Sequence, residues 1–166
     1  MQFSRRTAQL LHDDHRATLA MIENLEDLIA RAKRTLPDVG DAATRKTLEQ
    51  AATGIEQEVR DHFAFEENEL FTRLADMGDA DIGEHLRDEH NAILPIGEQV
   101  SALARAALEG GFTDQSWSRF RASTGELIER MLAHIQKEEM ALLPVLDDLL
   151  DAETDLELST AYGGSF

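Results

Sequence analysis

The chain has 166 residues with no cysteine, three prolines and a formal net charge of −17. One domain with a self-supporting core fits this length, and the lack of cysteine excludes disulfides, thiolate metal sites and thiol redox chemistry. The acidic balance argues against nucleic acids and anionic membranes as partners, because both need a basic surface.

Four helical blocks are predicted, separated by short connections that contain proline or glycine. They run from about Ser4 to Leu36, from Asp41 to Met77, from Ala80 to Leu108, and from Thr113 or Asp114 to Leu150. Because connections this short make successive helices antiparallel, we expect an all-α fold, an up-down-up-down antiparallel four-helix bundle over residues 1–150.

The remaining residues, 151–166, are acidic and then rich in glycine and serine, which is typical of a flexible tail. The single tyrosine, Tyr162, falls in this segment, so the predicted helices place no redox-active tyrosine near a site inside the bundle. The sequence has no apolar run of transmembrane length and no apolar stretch typical of a signal peptide, which favours a cytoplasmic location.

Each predicted helix has an apolar stripe at spacings of three and four, and each stripe is interrupted by a histidine. Two of these histidines are followed one turn later by a glutamate. The residues that interrupt the stripes are His15, His62, Glu66, His90, His134 and Glu138. The pattern is also repeated along the chain, since residues 62–70 resemble 134–142 and residues 11–19 resemble 86–94. Two related helical hairpins are therefore predicted.

Imidazoles and carboxylates inside a bundle core are costly unless something compensates them. A metal ion supplies that compensation, and a His-x-x-x-Glu spacing lets both side chains reach one centre from the same helix face. Oxygen and nitrogen ligands without sulfur suit iron or manganese, and zinc is not excluded. In the metal-free protein, we expect the repulsion between like charges to be relieved as pH falls and Glu66 or Glu138 takes up a proton. The alternative is a structural bundle with incidental histidines.

The motifs resemble those of the hemerythrin-like, or HHE cation-binding, domain family over about residues 5 to 150. They are Asp14-His15-Arg16, the segment from His62 to Phe71, Glu89-His90-Asn91, and the segment from His134 to Pro144. The resemblance implies a centre of two iron ions (Fe2+/Fe3+) with an oxo or hydroxo bridge. In it, His15, His62, His90 and His134 would be terminal ligands and Glu66 and Glu138 bridging carboxylates.

The third helix departs from the pattern of the oxygen-carrying hemerythrins, which bring two histidines four residues apart. Leu86 stands four residues before His90, and His85 lies one residue off the stripe. His85 is a candidate additional ligand if the helix near Pro95 contains a local bulge. His12 lies one turn before His15 and is predicted to be an outer partner or a surface residue rather than a ligand.

The number of ligands bears on function. Two six-coordinate ions need about twelve ligand bonds, of which four histidines, two bridging carboxylates and one oxygen bridge supply about ten. About two positions then remain for other ligands, which favours reaction with O2, peroxide or NO in oxidative or nitrosative stress chemistry or sensing. A fifth histidine would favour the alternative, non-enzymatic carriage or storage of O2 or iron. A separate electron-donor or signalling protein is an expected partner.

Other residues near the motifs are expected to support the site. Glu67, Glu69 and Glu139 are predicted to be solvated or to lie behind the ligands, and the aromatic residues are predicted to pack in the core, with Phe63 or Phe65 shielding the centre from water.

Overall fold

The computed structural model describes residues 2–163, except for the side chain at position 58, and these residues form helices and no β-strand. We number five helices. They are α1 (Arg6–Arg31), α2 (residues 42–76), α3 (Ala80–Gly110), α4 (residues 114–149) and α5 (Ala152–Gly163). Helix α2 begins with the α-helical segment Ala42–Gly54 and ends with Phe71–Asp76, and helix α4 begins with Asp114–Lys137 and ends with Leu143–Leu149. The prediction of an all-helical fold is confirmed. Within the described range, no helix combines the length and the apolar character needed to cross a membrane.

Helices α2 and α3 run in opposite directions where they meet. The hydroxyl of Ser101 on α3 donates to the carbonyl oxygen of Ala51 near the start of α2, at 3.0 Å. Gly83, near the start of α3, packs closely against Phe71 near the end of α2. A larger side chain at Gly83 would push into the Phe71 ring, so this glycine permits the close approach.

Local sequence sets the helix ends. The Asp41 carboxylate accepts a hydrogen bond from the Thr44 amide at 3.0 Å and caps α2. Thr113 and Ser116 form a reciprocal capping box at the start of α4, as expected for an N-cap at Thr113. Gly111 ends α3 with a φ of +76°, a conformation that favours glycine.

The apolar core consists of two clusters. The histidines and glutamates that interrupt the apolar stripes lie between these clusters. On α1, Leu11 belongs to one cluster and Met21 to the other, and the buried His15 lies between these positions. On α4, Met131 and Leu142 belong to different clusters in the same way, with His134 between them. The two clusters therefore enclose a polar layer at the middle of the helices.

Two local widenings of the helices begin at the predicted metal-binding glutamates. Residues Glu66–Leu70 in α2 and Glu138–Leu142 in α4 are π-helical, and a third π-helical segment spans Ile55–Val59. Helix α3 remains α-helical from Ala80 to Gly110 and accommodates Pro95. The local bulge that would let His85 join the site is therefore absent from α3. The π-helical segments lie instead in α2 and α4, the helices that carry the His-x-x-x-Glu motifs. Such π segments are often found at functional sites.

The expectation of a flexible tail over 151–166 was wrong for most of that segment. Residues Ala152–Gly163 form α5, whereas residues 164–166 lie outside the described part of the chain. The Asp155 carboxylate accepts hydrogen bonds from the backbone amides of Arg6 at 3.0 Å and Thr7 at 2.9 Å. A carboxylate at these amides stabilises the start of α1, which has no cap from its own N-cap side chain.

Candidate metal centre

The six side chains that interrupt the apolar stripes are all buried, although each is polar or ionisable. Their exposed fractions are Glu66 0%, His90 0%, His134 1%, Glu138 1%, His15 3% and His62 8%. Helices α1 and α3 each contribute one histidine, and α2 and α4 each contribute a histidine and a glutamate. Burial of so many ionisable groups in one layer needs compensation.

These six residues form two overlapping groups, each of which could hold a metal ion. One group is His15, His62, Glu66 and Glu138, and the other is Glu66, His90, His134 and Glu138. Within each group one nitrogen or oxygen atom per residue lies within 4.8 Å of the others. Glu66 and Glu138 belong to both groups, so each carboxylate lies between the two candidate metal positions.

Glu138 connects histidines from both groups. Its Oε2 lies 2.7 Å from Nε2 of His15, and its Oε1 lies 2.7 Å from Nε2 of His134. The Oε1 atom has no hydrogen-bond partner with proper geometry, and neither oxygen of Glu66 has one, although His62 Nε2 lies beside it. Buried polar atoms that are close together but not hydrogen-bonded fit a cation between them better than they fit a protein-only network.

The second group contains a direct approach of two imidazoles. Nε2 of His90 lies 3.2 Å from Nε2 of His134. One ring can donate to the other, but a metal ion between them and the glutamates would satisfy both nitrogens. Nitrogen and oxygen donors at this spacing, without sulfur, therefore fit a first-row transition metal.

In the metal-free protein the pKa values of the four cluster histidines are raised. Burial alone would lower the pKa of His15, but hydrogen bonds with Glu138 and Glu139 outweigh burial and raise that pKa to about 9. Burial would likewise lower the pKa of His90, but the nearby carboxylates of Glu138 and Glu66 outweigh burial and raise that pKa to about 9. The pKa values of His62 and His134 are raised for the same kinds of reason.

Glu138 keeps its charge to a lower pH than an ordinary glutamate does, so the expected uptake of a proton by this residue needs stronger acid. Burial would raise its pKa, but the close approach of four imidazoles, with His134 contributing most, lowers the pKa well below its usual range. Protonated imidazoles therefore balance the carboxylate charge in the metal-free site, and metal ions would have to displace those protons.

Carboxylates also contact the outer ring nitrogens of three histidines. Nδ1 of His15 lies 2.6 Å from Glu139 Oε1, and Nδ1 of His134 lies 2.9 Å from Glu89 Oε1. Nδ1 of His62 lies 3.3 Å from Asp14 Oδ2. A carboxylate that accepts the Nδ1 proton fixes the imidazole tautomer and directs Nε2 toward the candidate metal positions.

His12 and His85, the two additional candidates, lie outside both groups. His12 Nδ1 is 2.9 Å from Glu139 Oε2, so it contacts the same carboxylate as His15 from the outer side. This is the outer role that its spacing predicts. His85 is largely exposed, and its Nε2 lies 3.3 Å from the Lys137 Nζ. Since α3 has no bulge, the off-stripe position of His85 keeps it at the surface.

The expectation that no tyrosine lies near the site was wrong, because Tyr162 lies beside His62. Its hydroxyl lies 3.4 Å from Nδ1 of His62, and its side chain is only 3% exposed. Helix α5 carries it there, so a tyrosine does lie beside a candidate ligand. The signal in the sequence is the spacing of Asp155, Leu158, Ser159 and Tyr162, which places four residues on one face of a short helix.

Aromatic rings cover one side of the cluster. The Phe63 ring stacks on His90 with a centroid distance of 3.6 Å and an interplanar angle of 6°. The Phe71 ring also stacks on the His90 imidazole, with a centroid distance of 5.8 Å. Phe63 is 2% exposed, in agreement with its predicted shielding position.

A small cavity adjoins the cluster. It has a volume of about 20 Å³ and is lined partly by the candidate ligands His15, His62, His134 and Glu138. Its remaining walls include Thr18, Val59, Phe63, Met131 and Ile135, with Asp14 at its edge. A space that holds about one water molecule admits a ligand of only a few atoms.

Together, the helices and the buried His/Glu cluster define a helical protein that could hold a metal ion. The sequence also matches the hemerythrin HHE cation binding domain over residues 6–146. Since this match spans most of the chain, the protein belongs to that family, as its motifs indicated. A comparison with curated proteins found no match.

Proposed function

We propose that this protein binds two iron ions and that its dinuclear centre reacts with O2, peroxide or NO. The observation that carries the proposal is the sharing of Glu66 and Glu138 by two four-residue groups. The four long helices would then form the up-down-up-down bundle of the family, with α5 as an addition.

The ligand set divides evenly in this proposal. His15 and His62 would hold one ion, His90 and His134 would hold the other, and the two glutamates would contribute to both. Iron is favoured among the metals that suit these donors because the family resemblance implies it, while manganese and zinc are alternatives. When bound, the iron ions supply the capacity to bind and reduce a small oxygen- or nitrogen-containing molecule.

The chain itself would orient the ligands, limit access and exclude water. The carboxylates of Glu139, Glu89 and Asp14 hold the imidazoles by their outer nitrogens. The Phe63 ring covers His90, and the cavity of about 20 Å³ leaves space beside His15 and His62 for a diatomic molecule or peroxide. Larger organic substrates do not fit this space.

The main alternative is carriage or storage of O2 or iron without turnover. The surface position of His85 favours reactivity over carriage, because it leaves four histidines rather than five in the cluster. Two coordination positions then remain for exogenous ligands, by the octahedral preference of iron.

The test is iron loading under anaerobic conditions, followed by optical spectra and by turnover measurements with O2, peroxide and NO in the presence of a chemical reductant. We expect about two iron ions per chain and catalytic consumption of at least one of the three reactants. A long-lived, reversible O2 adduct without peroxide or NO consumption would support carriage instead. His85→Ala is the matched control and should behave like the wild type.

A further inference from the structure

Helix α5 lies beyond the family match, which ends at residue 146, but it brings a side chain to the metal cluster. The hydroxyl oxygen of Tyr162 lies 3.4 Å from Nδ1 of His62, and the tyrosine is almost fully buried. A segment outside the family match therefore closes one side of the candidate centre.

Several contacts fix the position of α5. Asp155 binds the amides at the start of α1, and the Thr7 hydroxyl donates to the Asp155 carbonyl oxygen at 3.2 Å. Leu158 is 1% exposed in the smaller apolar cluster, and the Tyr162 ring lies 4.5 Å from the Phe65 ring. These residues recur on one face of the helix, so anchoring the start of α5 also sets the position of Tyr162.

In the contact between Tyr162 and His62, the imidazole donates the hydrogen bond and the hydroxyl oxygen accepts it when the metal is bound. Nε2 of His62 faces Glu66 and Glu138, so Nδ1 must carry the proton when Nε2 binds a metal ion. Nδ1 then donates, and two oxygens are within reach. They are Asp14 Oδ2 at 3.3 Å and Tyr162 Oη at 3.4 Å. Asp14 is 40% exposed, whereas the tyrosine covers the imidazole from the buried side.

We propose that Tyr162 is a positioning residue for His62, accepting its Nδ1 proton together with Asp14 and so holding Nε2 toward the metal. This role rests on the proposed function. It predicts that α5, through Tyr162, slows the loss of metal from the His15/His62 position.

The test compares Tyr162→Phe with Ser159→Ala in the full chain. Phenylalanine keeps the ring against Phe65 and removes only the hydroxyl. Ser159 lies on the same face of α5, is 4% exposed, and its hydroxyl donates locally to the Leu156 carbonyl oxygen at 3.3 Å. The control therefore removes a buried hydroxyl from the same helix without changing a contact with His62.

Two readouts are used, and neither needs turnover. The first is the rate of Fe2+ release to a coloured chelator under anaerobic conditions. The second is the absorption spectrum of the Co2+-loaded protein, which reports ligand geometry. We expect Tyr162→Phe to release one of its two ions about ten-fold faster. This is the low end of the effect on metal binding of removing a residue that hydrogen-bonds to a metal ligand. Its cobalt spectrum should change, and Ser159→Ala should match the wild type.

Wild-type release and an unchanged cobalt spectrum in Tyr162→Phe would overturn the proposal. Equal acceleration in Ser159→Ala would also overturn it, because the effect would then come from loosening of α5. If the wild type takes up neither Fe2+ nor Co2+, the proposed function fails and the role of Tyr162 fails with it.

Discussion

His90 on α3 and His134 on α4 meet with their Nε2 atoms 3.2 Å apart, at the centre of a layer that is closed to solvent. The facing nitrogens belong to the same four-residue group as Glu66 and Glu138. This is an expensive arrangement for a purely structural core, and a cation relieves it.

The first prediction concerns the shared carboxylates. Glu66→Ala and Glu138→Ala should each lose the two-metal centre and retain at most one ion, because each carboxylate belongs to both groups. Metal content is measured by elemental analysis after iron loading and desalting. His85→Ala and His12→Ala are the controls and should retain two ions per chain. Two firmly bound ions in Glu138→Ala would contradict the shared role.

The second prediction concerns metal removal. The holo-protein should unfold at a higher temperature than the chelated protein, because the metal binds the folded site and the unfolded chain offers no assembled one. At free metal about 1,000 times the dissociation constant, the gain is about 4 kcal/mol, or roughly 8–16 °C in a domain of this size. Calorimetry of the two forms measures it. Equal melting temperatures would show that the buried cluster does not bind the metal.

The third prediction concerns pH in the chelated protein. The pKa values of His15 and His90 are raised from 6.5 to about 9, so their contribution to stability is complete below pH 6.5 and is lost as pH rises toward 9. The pKa of Glu138 is lowered, so its contribution is present above about pH 4.5 and is lost on further acidification. The free energy of unfolding should therefore be greatest between about pH 4.5 and 6.5.

Urea denaturation of the chelated protein from pH 4 to pH 9 tests this profile. The metal-loaded protein provides the control, because metal ions replace the histidine protons and the alkaline decline should be weaker. The gap between the two forms should widen from pH 6.5 to pH 9. Constant stability of the chelated form over that interval would contradict the assignment of protons to the histidines.

The fourth prediction concerns the junction of α1 and α5. Asp155→Ala should lower the free energy of unfolding by about 1 kcal/mol, the usual cost of losing a helix cap, or roughly 2–4 °C in melting temperature. The reason is that its carboxylate accepts from the amides of Arg6 and Thr7. Thermal melting of Asp155→Ala is compared with that of Asp148→Ala, an exposed aspartate on α4. Equal melting of the two variants would mean that the cap contributes nothing.

The sequence identified the six cluster residues because they break an otherwise regular apolar rhythm. A buried helix stripe tolerates few ionisable groups, so His15 on α1 and His62 with Glu66 on α2 stand out without structural information. The same reasoning set His85 apart from His90, since a shift of one residue turns the side chain by about 100°, and His85 is indeed exposed where His90 is buried.

The contacts around the cluster were harder to predict. Glu139 contacts both His15 and His12, but an acidic residue beside Glu138 has no feature that distinguishes it from a solvated one. The π-helical segments depend on tertiary packing around the glutamates, and no residue type specifies them. Helix α5 was missed because acidic, glycine- and serine-containing composition outweighed a face of four residues that ends at Tyr162.

The most direct measurement is anomalous X-ray diffraction at the iron edge from crystals of the iron-loaded protein. Two peaks are predicted in each chain, one among His15, His62, Glu66 and Glu138 and the other among His90, His134, Glu66 and Glu138. A single peak, or peaks away from Glu66 and Glu138, would contradict the dinuclear centre.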